Sequence, residues 1–189
     1  MLKNKLILLP TDFSPYAQNA AKYALAIARK YRCIVDILYV DENFSRSDAS
    51  LKKQDLSDQA DTHVLTQLED KLNELVGDFK SYGLEVRSTI LQGKAWTRII
   101  EQAEKKRCGL TVIASHGRTG LDRFVFGSVA ERVVRHSSVP VLTVKYPEKE
   151  CLDSTLELAI RHVLVPTDFS RQAENALAYA VSLCREFSA

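Results

Sequence analysis

Residues 114–134, "ASHGRTGLDRFVFGSVAERVV", gather glycines, hydroxyls, a histidine and three arginines into one loop and the opening of a helix. Gly117 permits positive φ or close backbone approach, and the first N–H groups of a helix opening after Gly127 carry partial positive charge. Arg118 and Arg123 add cationic side chains. This is the chemistry of holding a phosphate chain. Each residue also has a plainer use: a glycine serves any turn, Arg123 suits a solvated surface, and Ser128 with Glu131 spells an S-x-x-E capping box.

Several kinds of catalysis are excluded. There is no G-x-x-x-x-G-K-[ST] loop and no G-x-G-x-x-G fingerprint. Ile113 stands where a G-x-S-x-G nucleophile elbow needs its first glycine. His116 has the right chemistry for a general base but no carboxylate partner at a recognisable spacing. No catalytic residue is therefore assigned. Cys33, Cys108, Cys151 and Cys184 form no C-x-x-C pair, so they read as reduced, mostly buried thiols, and no metal site is assigned.

The elements that position this loop follow from hydrophobic patterning. "KLILL", "CIVDILYV" and "LTVIA" are continuous apolar runs, as expected of strands buried on both faces of a parallel sheet. "LEVRSTIL" alternates and belongs at a sheet edge, and "PVLTVKY", Pro140 to Tyr146, supplies a fifth strand. Ser14 followed by Pro15 starts a helix through about Tyr31. Leu68, Leu72, Leu75, Val76 and Phe79 recur at helical spacing until Gly83; Trp96, Ile99, Ile100 and Ala103 form a second stripe. A fourth helix should start just after Gly127. The alternation of strand and helix across residues 5–146 implies an α/β fold, a doubly wound five-stranded parallel sheet, Rossmann-like. Residues 41–57 are polar and aperiodic, and read as a loop or lid.

In such a sheet ligands bind beyond the C-terminal strand ends, where crossovers diverge. The places to look are Pro10 to Ser14, Val40 to Glu42, Gln92 to Lys94, and Ser115 to Ser128. Bulk properties point to no polymer partner: 189 residues with a net charge of +2 carry no clustered basic stripe for nucleic acid. The N-terminal apolar run stops at Pro10, too short for a signal core or a membrane span, so a cytoplasmic location and no membrane partner are expected.

"PTDFS" after the first strand, together with "SHGRTGLDRFVFGSVAERVVRHSSVPVLTV", resembles the universal stress protein family over residues 3–146. The family's nucleotide-binding members carry G-x-x-G, nine residues, then G-[ST]. The matching positions are Ala114, Gly117, Gly127 and Ser128, with the spacing intact and one methyl added at Ala114. The resemblance implies ATP with Mg, bound between the first and fourth strands as a regulatory ligand with little or no hydrolysis. It implies Thr11 and Asp12 near the adenosine, Asp12 serving ribose or a cation, and Val40 against adenine. Ser115, His116, Gly117 and Arg118 would line the ribose and phosphate path, with Gly127, Ser128 and Val129 holding phosphates. It also implies an adenine-nucleotide α-hydrolase-like fold and a homodimer joined through the strand Pro140 to Tyr146. Two alternatives stay open: an interaction module with a vestigial nucleotide site, and an ATP-hydrolysing or nucleotidyl-transferring enzyme.

The chain then repeats itself. "LVPTDFSRQAENALAYA" from Leu164 matches "LLPTDFSPYAQNAAKYA" from Leu8, with 12 of 22 positions identical through Arg29 and Arg185. Residues 1–146 are thus expected to form one complete domain and 147–160 a linker. Residues 161–189 read as the first strand and helix of a second, incomplete repeat without a phosphate loop, so Asp168 is assigned no ligand. A strand and an amphipathic helix cannot bury themselves alone, and this pair is expected to dock on the complete domain or another subunit, or to stay mobile.

Overall fold

The computed structural model describes residues 4–42, 57–116, 127–145 and 157–189, with side chains in the helix that opens at Ser57 described from residue 66 onward. The elements are β1 (Leu6–Thr11), α1 (Pro15–Tyr31), β2 (Ile34–Asp41), α2 (Ser57–Ser81), β3 (Val86–Gln92), α3 (Ala95–Lys105), β4 (Leu110–Ala114), α4 (Ser128–His136), β5 (Val141–Val144) and α5 (Arg171–Phe187). All five strands pair in parallel, in the order β3-β2-β1-β4-β5. The expected α/β class and parallel five-stranded sheet are present. β3, with its alternating sequence, is at one edge.

The chain winds from β1 outward through β2 to β3, then returns past β1 to β4 and β5. Right-handed crossovers put α1 and α2 on one face and α3 and α4 on the other. α1 reaches the sheet closely because its buried stripe is small: Ala17, Ala20, Ala21, Ala24 and Ala28 are all buried. On the opposite face Ile99 and Ala103 from α3 meet Ala130 and Val133 from α4 over Leu8, Leu38 and Ile113. α2 starts ahead of its apolar stripe, since a helix's opening turns need no buried face to continue the hydrogen-bond ladder.

One charge sits inside this core. Asp36, the lone acid in "CIVDILYV", is fully buried on β2. Lys106 Nζ reaches its Oδ2 at 2.8 Å from just beyond α3. Gln102 Nε2 donates to Oδ2 and Thr89 Oγ1 to Oδ1, each at 3.3 Å. The carboxylate thereby ties β2 to β3 and to the end of α3. Gly109 completes the turn into β4, where a Cβ would collide with the Asn4 carbonyl oxygen. Its N–H donates to the Leu6 carbonyl at 2.8 Å.

The chain divides into two compact units between residues 146 and 147. In the second, Ser170 caps α5 by accepting the Ala173 N–H at 3.2 Å. Val163 to Val165, read as a strand from sequence, make no strand ladder, whereas Leu8 and its neighbours in the first copy lie between two paired strands. Leu164 and Phe169 are 93% and 90% exposed. Residues 43–56, most of the expected lid, Tyr146 at the end of the expected fifth strand, and 147–156 of the expected linker lie outside the described residues.

Replacing Lys106 by Met leaves Asp36 without its cation. Breaking a buried pair costs about 3–5 kcal/mol. Because the Lys106 side chain is 29% exposed and Asp36 keeps two other donors, the expected loss is the lower half of that range or less, about 2–3 kcal/mol by urea titration. The double variant Asp36→Leu/Lys106→Met should recover most of it. Burial, and then the nearby Asp36 charge, push the Cys108 thiol up to about 11. At pH 8 its thiolate population is then roughly two orders of magnitude below that of an ordinary thiol. Disulfide-exchange labelling of Cys108 should be slow in native protein and fast in urea; equal rates would contradict this burial.

Candidate functional site

The strand order reverses between β1 and β4, and a cleft of about 430 Å³ opens beyond their C-terminal ends. Its floor is Pro10 and Thr11 of β1 with Asp12 just after it, and Ile113 and Ala114 of β4 with Ser115 and His116 just after it. Leu38, Tyr39, Val40 and Glu42 form one wall, with Ala95 and Ile99 from α3 beside them, Ala17 from α1, and Gly127 to Ala130 closing the α4 side.

The turn after β1 is built by its own side chains. Thr11 Oγ1 accepts the Phe13 N–H and Asp12 Oδ1 accepts the Ser14 N–H, both at 3.0 Å. These bonds hold Phe13 at φ 60°, a left-handed conformation uncommon for a bulky residue. Its ring stacks on Tyr39 with centroids 5.4 Å apart. Ser14 then caps α1 through the Ala17 N–H at 3.2 Å. Asp12 therefore has the turn-forming role open to any Asp after a strand, and it lines the cleft as well.

At the end of β4, Ser115 is buried and its Oγ lies 3.0 Å from His116 Nδ1. The His116 ring packs 5.7 Å from that of Tyr16. The Ser115 carbonyl accepts the Gly127 N–H at 2.8 Å, so the start of α4 is pinned over the tip of β4. Ala114 lies in the β4–β5 ladder opposite Val144 and has no positive φ. An alanine fits that backbone without strain.

The capping box expected at Ser128 and Glu131 does not form. Gly127 is the N-cap: its carbonyl accepts the Glu131 N–H at 3.0 Å, and Ser128 is the first helical residue. Glu131 instead pairs with Arg135 at 2.9 Å. The helix starts just after Gly127, as the sequence predicts, with Gly127 held by Ser115 in the cap position that the box would have given to Ser128. In consequence Gly127 offers no side-chain cap to the first turn of α4, and Ser128 is exposed at the cleft.

α3 differs at its start. Lys94 at its N-cap makes no side-chain cap, but Glu42 Oε1 reaches across from the end of β2 and accepts the Ala95 N–H at 2.7 Å. Gly93, at φ 125°, supplies the turn that brings α3 there. Among the suggested locations, Gln92 to Lys94 stay off the cleft lining and Ala95 takes their place.

The cleft thus brings together Thr11, Asp12, Val40, Ala114, Ser115, His116, Gly127, Ser128 and Val129. Gly117, Arg118 and Arg123 lie outside the described residues. Sequence reasoning left Ala95 and Ile99 of the lining unmarked, and gave Glu42 no role; only the position of Glu42 just past an apolar strand hinted at the site. No group of three or more His, Cys, Asp or Glu side chains among the described residues could hold a metal ion by itself. Within the same residues, no helix is long and apolar enough to cross a membrane.

The family model for the universal stress protein family matches residues 3–145. Universal stress protein MJ0531 of Methanocaldococcus jannaschii is 33% identical over 146 residues, covering 77% of this chain and 85% of that protein. The solved structure of MJ0577 from the same organism is 28% identical with a TM-score of 0.67, covering 77% and 98%. A universal stress protein from Archaeoglobus fulgidus, solved in complex with dAMP, is 19% identical with a TM-score of 0.54, covering 77% and 100%. A family match over three quarters of its length and a relative at 33% identity show that the chain belongs to the universal stress protein family.

Proposed function

We propose that this chain binds ATP, accompanied by Mg, in the cleft between β1 and β4, and that occupancy rather than turnover is its output. The observation that carries the reading is the start of α4: a helix N-terminus whose N-cap is a glycine and which no side chain among the described residues caps, opening on a cleft with an apolar wall of Leu38, Val40 and Ile99. Phosphates suit the first and a base the second. A related protein solved with dAMP supports an adenine nucleotide as the class of ligand.

Within that reading Gly127, Ser128 and Val129 receive phosphates, and Ser115, His116, Gly117 and Arg118 flank the path from the ribose. Ala114 underlies it. Thr11 and Asp12 face the adenosine, and Val40 the adenine. A magnesium ion on the phosphates needs few protein ligands, because it keeps waters and shares the phosphate oxygens. Little hydrolysis is expected. The two carboxylates among the described lining residues, Asp12 and Glu42, each already accept a backbone N–H, and orienting a water at a terminal phosphate needs an acceptor placed there.

The same proposal includes a cytoplasmic homodimer joined through Pro140 to Tyr146. β5 has a strand neighbour on one side only, and an apolar edge strand is a liability unless paired. Residues 161–189 we assign as the opening of a second repeat.

Calorimetry with magnesium and millimolar ATP should show saturable binding with phosphate release near background. No heat of binding under these conditions would overturn the proposal. Gly127 has ordinary backbone angles, φ −62° and ψ 143°, so Gly127→Val should keep the fold, costing about 1 kcal/mol at the N-cap. Its side chain would crowd the first-turn N–H groups, and ATP affinity should fall at least tenfold. Light scattering should give twice the 21.3 kDa chain mass; a monomer at micromolar concentration would rule out the β5 dimer.

A further inference from the structure

The helix starts of α3 and α4 both border the cleft, but the chain itself treats them differently. Gly127 gives α4 no side-chain cap, whereas a carboxylate from β2's end sits on the N-terminus of α3. Glu42 Oε1 is committed to the Ala95 N–H at 2.7 Å. That bond fixes the side chain against the cleft wall, next to the apolar surfaces of Val40 and Ala95. An ionised carboxylate has acceptor sites on both oxygens and no donor. Oε2 makes no hydrogen bond among the described residues, so Glu42 presents an acceptor to whatever occupies this end.

Its charge also sets direction. A triphosphate beside Glu42 would bring like charges together, while the start of α4 at the other side of the cleft attracts it. The base therefore belongs at the Glu42 end. We infer that Glu42 is a specificity residue for the base: its carboxylate accepts the exocyclic amino group of adenine and rejects a purine with a carbonyl at that position. This rests on the adenine-nucleotide reading above. A 6-oxo purine would set its oxygen against the carboxylate, acceptor facing acceptor, with neither satisfied. Sites built around a hydrogen-bonding group discriminate most strongly through the partner left unpaired. Glu42 is solvent-exposed, so water softens the penalty and about a tenfold preference is expected.

The test is calorimetric binding of the full chain to ATP and to inosine triphosphate, which carries a carbonyl in place of that amino group and a proton on N1, in the native protein and in Glu42→Gln. Glutamine keeps an oxygen for the Ala95 N–H and turns an NH2 donor toward the base. The native chain should prefer ATP by about tenfold, and Glu42→Gln should bring the ratio close to one by weakening ATP and strengthening inosine triphosphate. Thermal melts of the variant should match the native protein. ATP binding with the same ratio in both proteins overturns the role of Glu42 and leaves the nucleotide reading standing. No binding of either nucleotide to the native chain overturns both.

Discussion

The cleft exists because a parallel sheet cannot cover both sides of the point where its winding reverses. β1 is followed by crossovers to β2 and β3, and β4 lies on its other side, followed by α4 and β5. The helices leave these two strand ends toward opposite faces, so nothing in the ladder fills the space between them. The pairing that enforces this is short: β1 and β4 share Ile7↔Leu110 and Leu8↔Thr111, near their N-terminal ends. Beyond Leu8 the two strands continue toward Thr11 and Ala114, and the cleft opens where both stop.

That geometry turns helix starts into chemistry. α1, α3 and α4 all begin at the same edge of the sheet, each presenting N–H groups that the helix itself cannot satisfy. Ser14 satisfies α1 locally, and Glu42 satisfies α3 from another strand. α4 begins with Gly127 held by the Ser115 carbonyl and receives no side-chain cap from the described residues. The asymmetry gives the cleft one end receptive to anions and one end carrying an anion of its own. On the buried side, Asp36 works in a different register: its four-residue network with Lys106, Gln102 and Thr89 holds α3 at the angle from which Ala95 and Ile99 reach the cleft.

Much of the architecture was legible because it depends on local pattern. Continuous apolar runs specified the buried strands, alternation placed β3 at an edge, and Ser14-Pro15 marked the start of α1 to the residue. What escaped the sequence was set by partners far along the chain. Asp36 looks like an interruption of a strand until Lys106, 70 residues later, is placed beside it. Glu42 looks like part of a polar loop until the Ala95 N–H, 53 residues away, meets it. Ser128 and Glu131 satisfied the spacing of a capping box, yet Gly127, bonded through its N–H to the Ser115 carbonyl, is the residue that takes the cap position. Short-range spacing offers two adjacent registers for a cap; only the sheet chooses between them.

The repeated "PTDFS" separates local from long-range control most cleanly. In the first copy Phe13 has φ 60° and in the second Phe169 has φ 61°. The Thr and Asp acceptors of the turn recur, with Thr11 and Thr167 bonds both at 3.0 Å and Asp12 and Asp168 bonds at 3.0 and 2.9 Å. Both helix-capping serine bonds are 3.2 Å. Hydrogen bonds from Ser170 also hold the Asp168 carboxyl below its usual range. The surroundings share none of this likeness: Leu8 is fully buried between paired strands, while Leu164 is 93% exposed. A left-handed phenylalanine is thus held by the side chains of the two residues before it, with no sheet required. The ladder, by contrast, appears only where neighbouring strands supply its other half. The turn at Asp12 is therefore written in five consecutive residues, but the cleft it lines needs the strands and the α4 start that the rest of residues 4–145 bring to it.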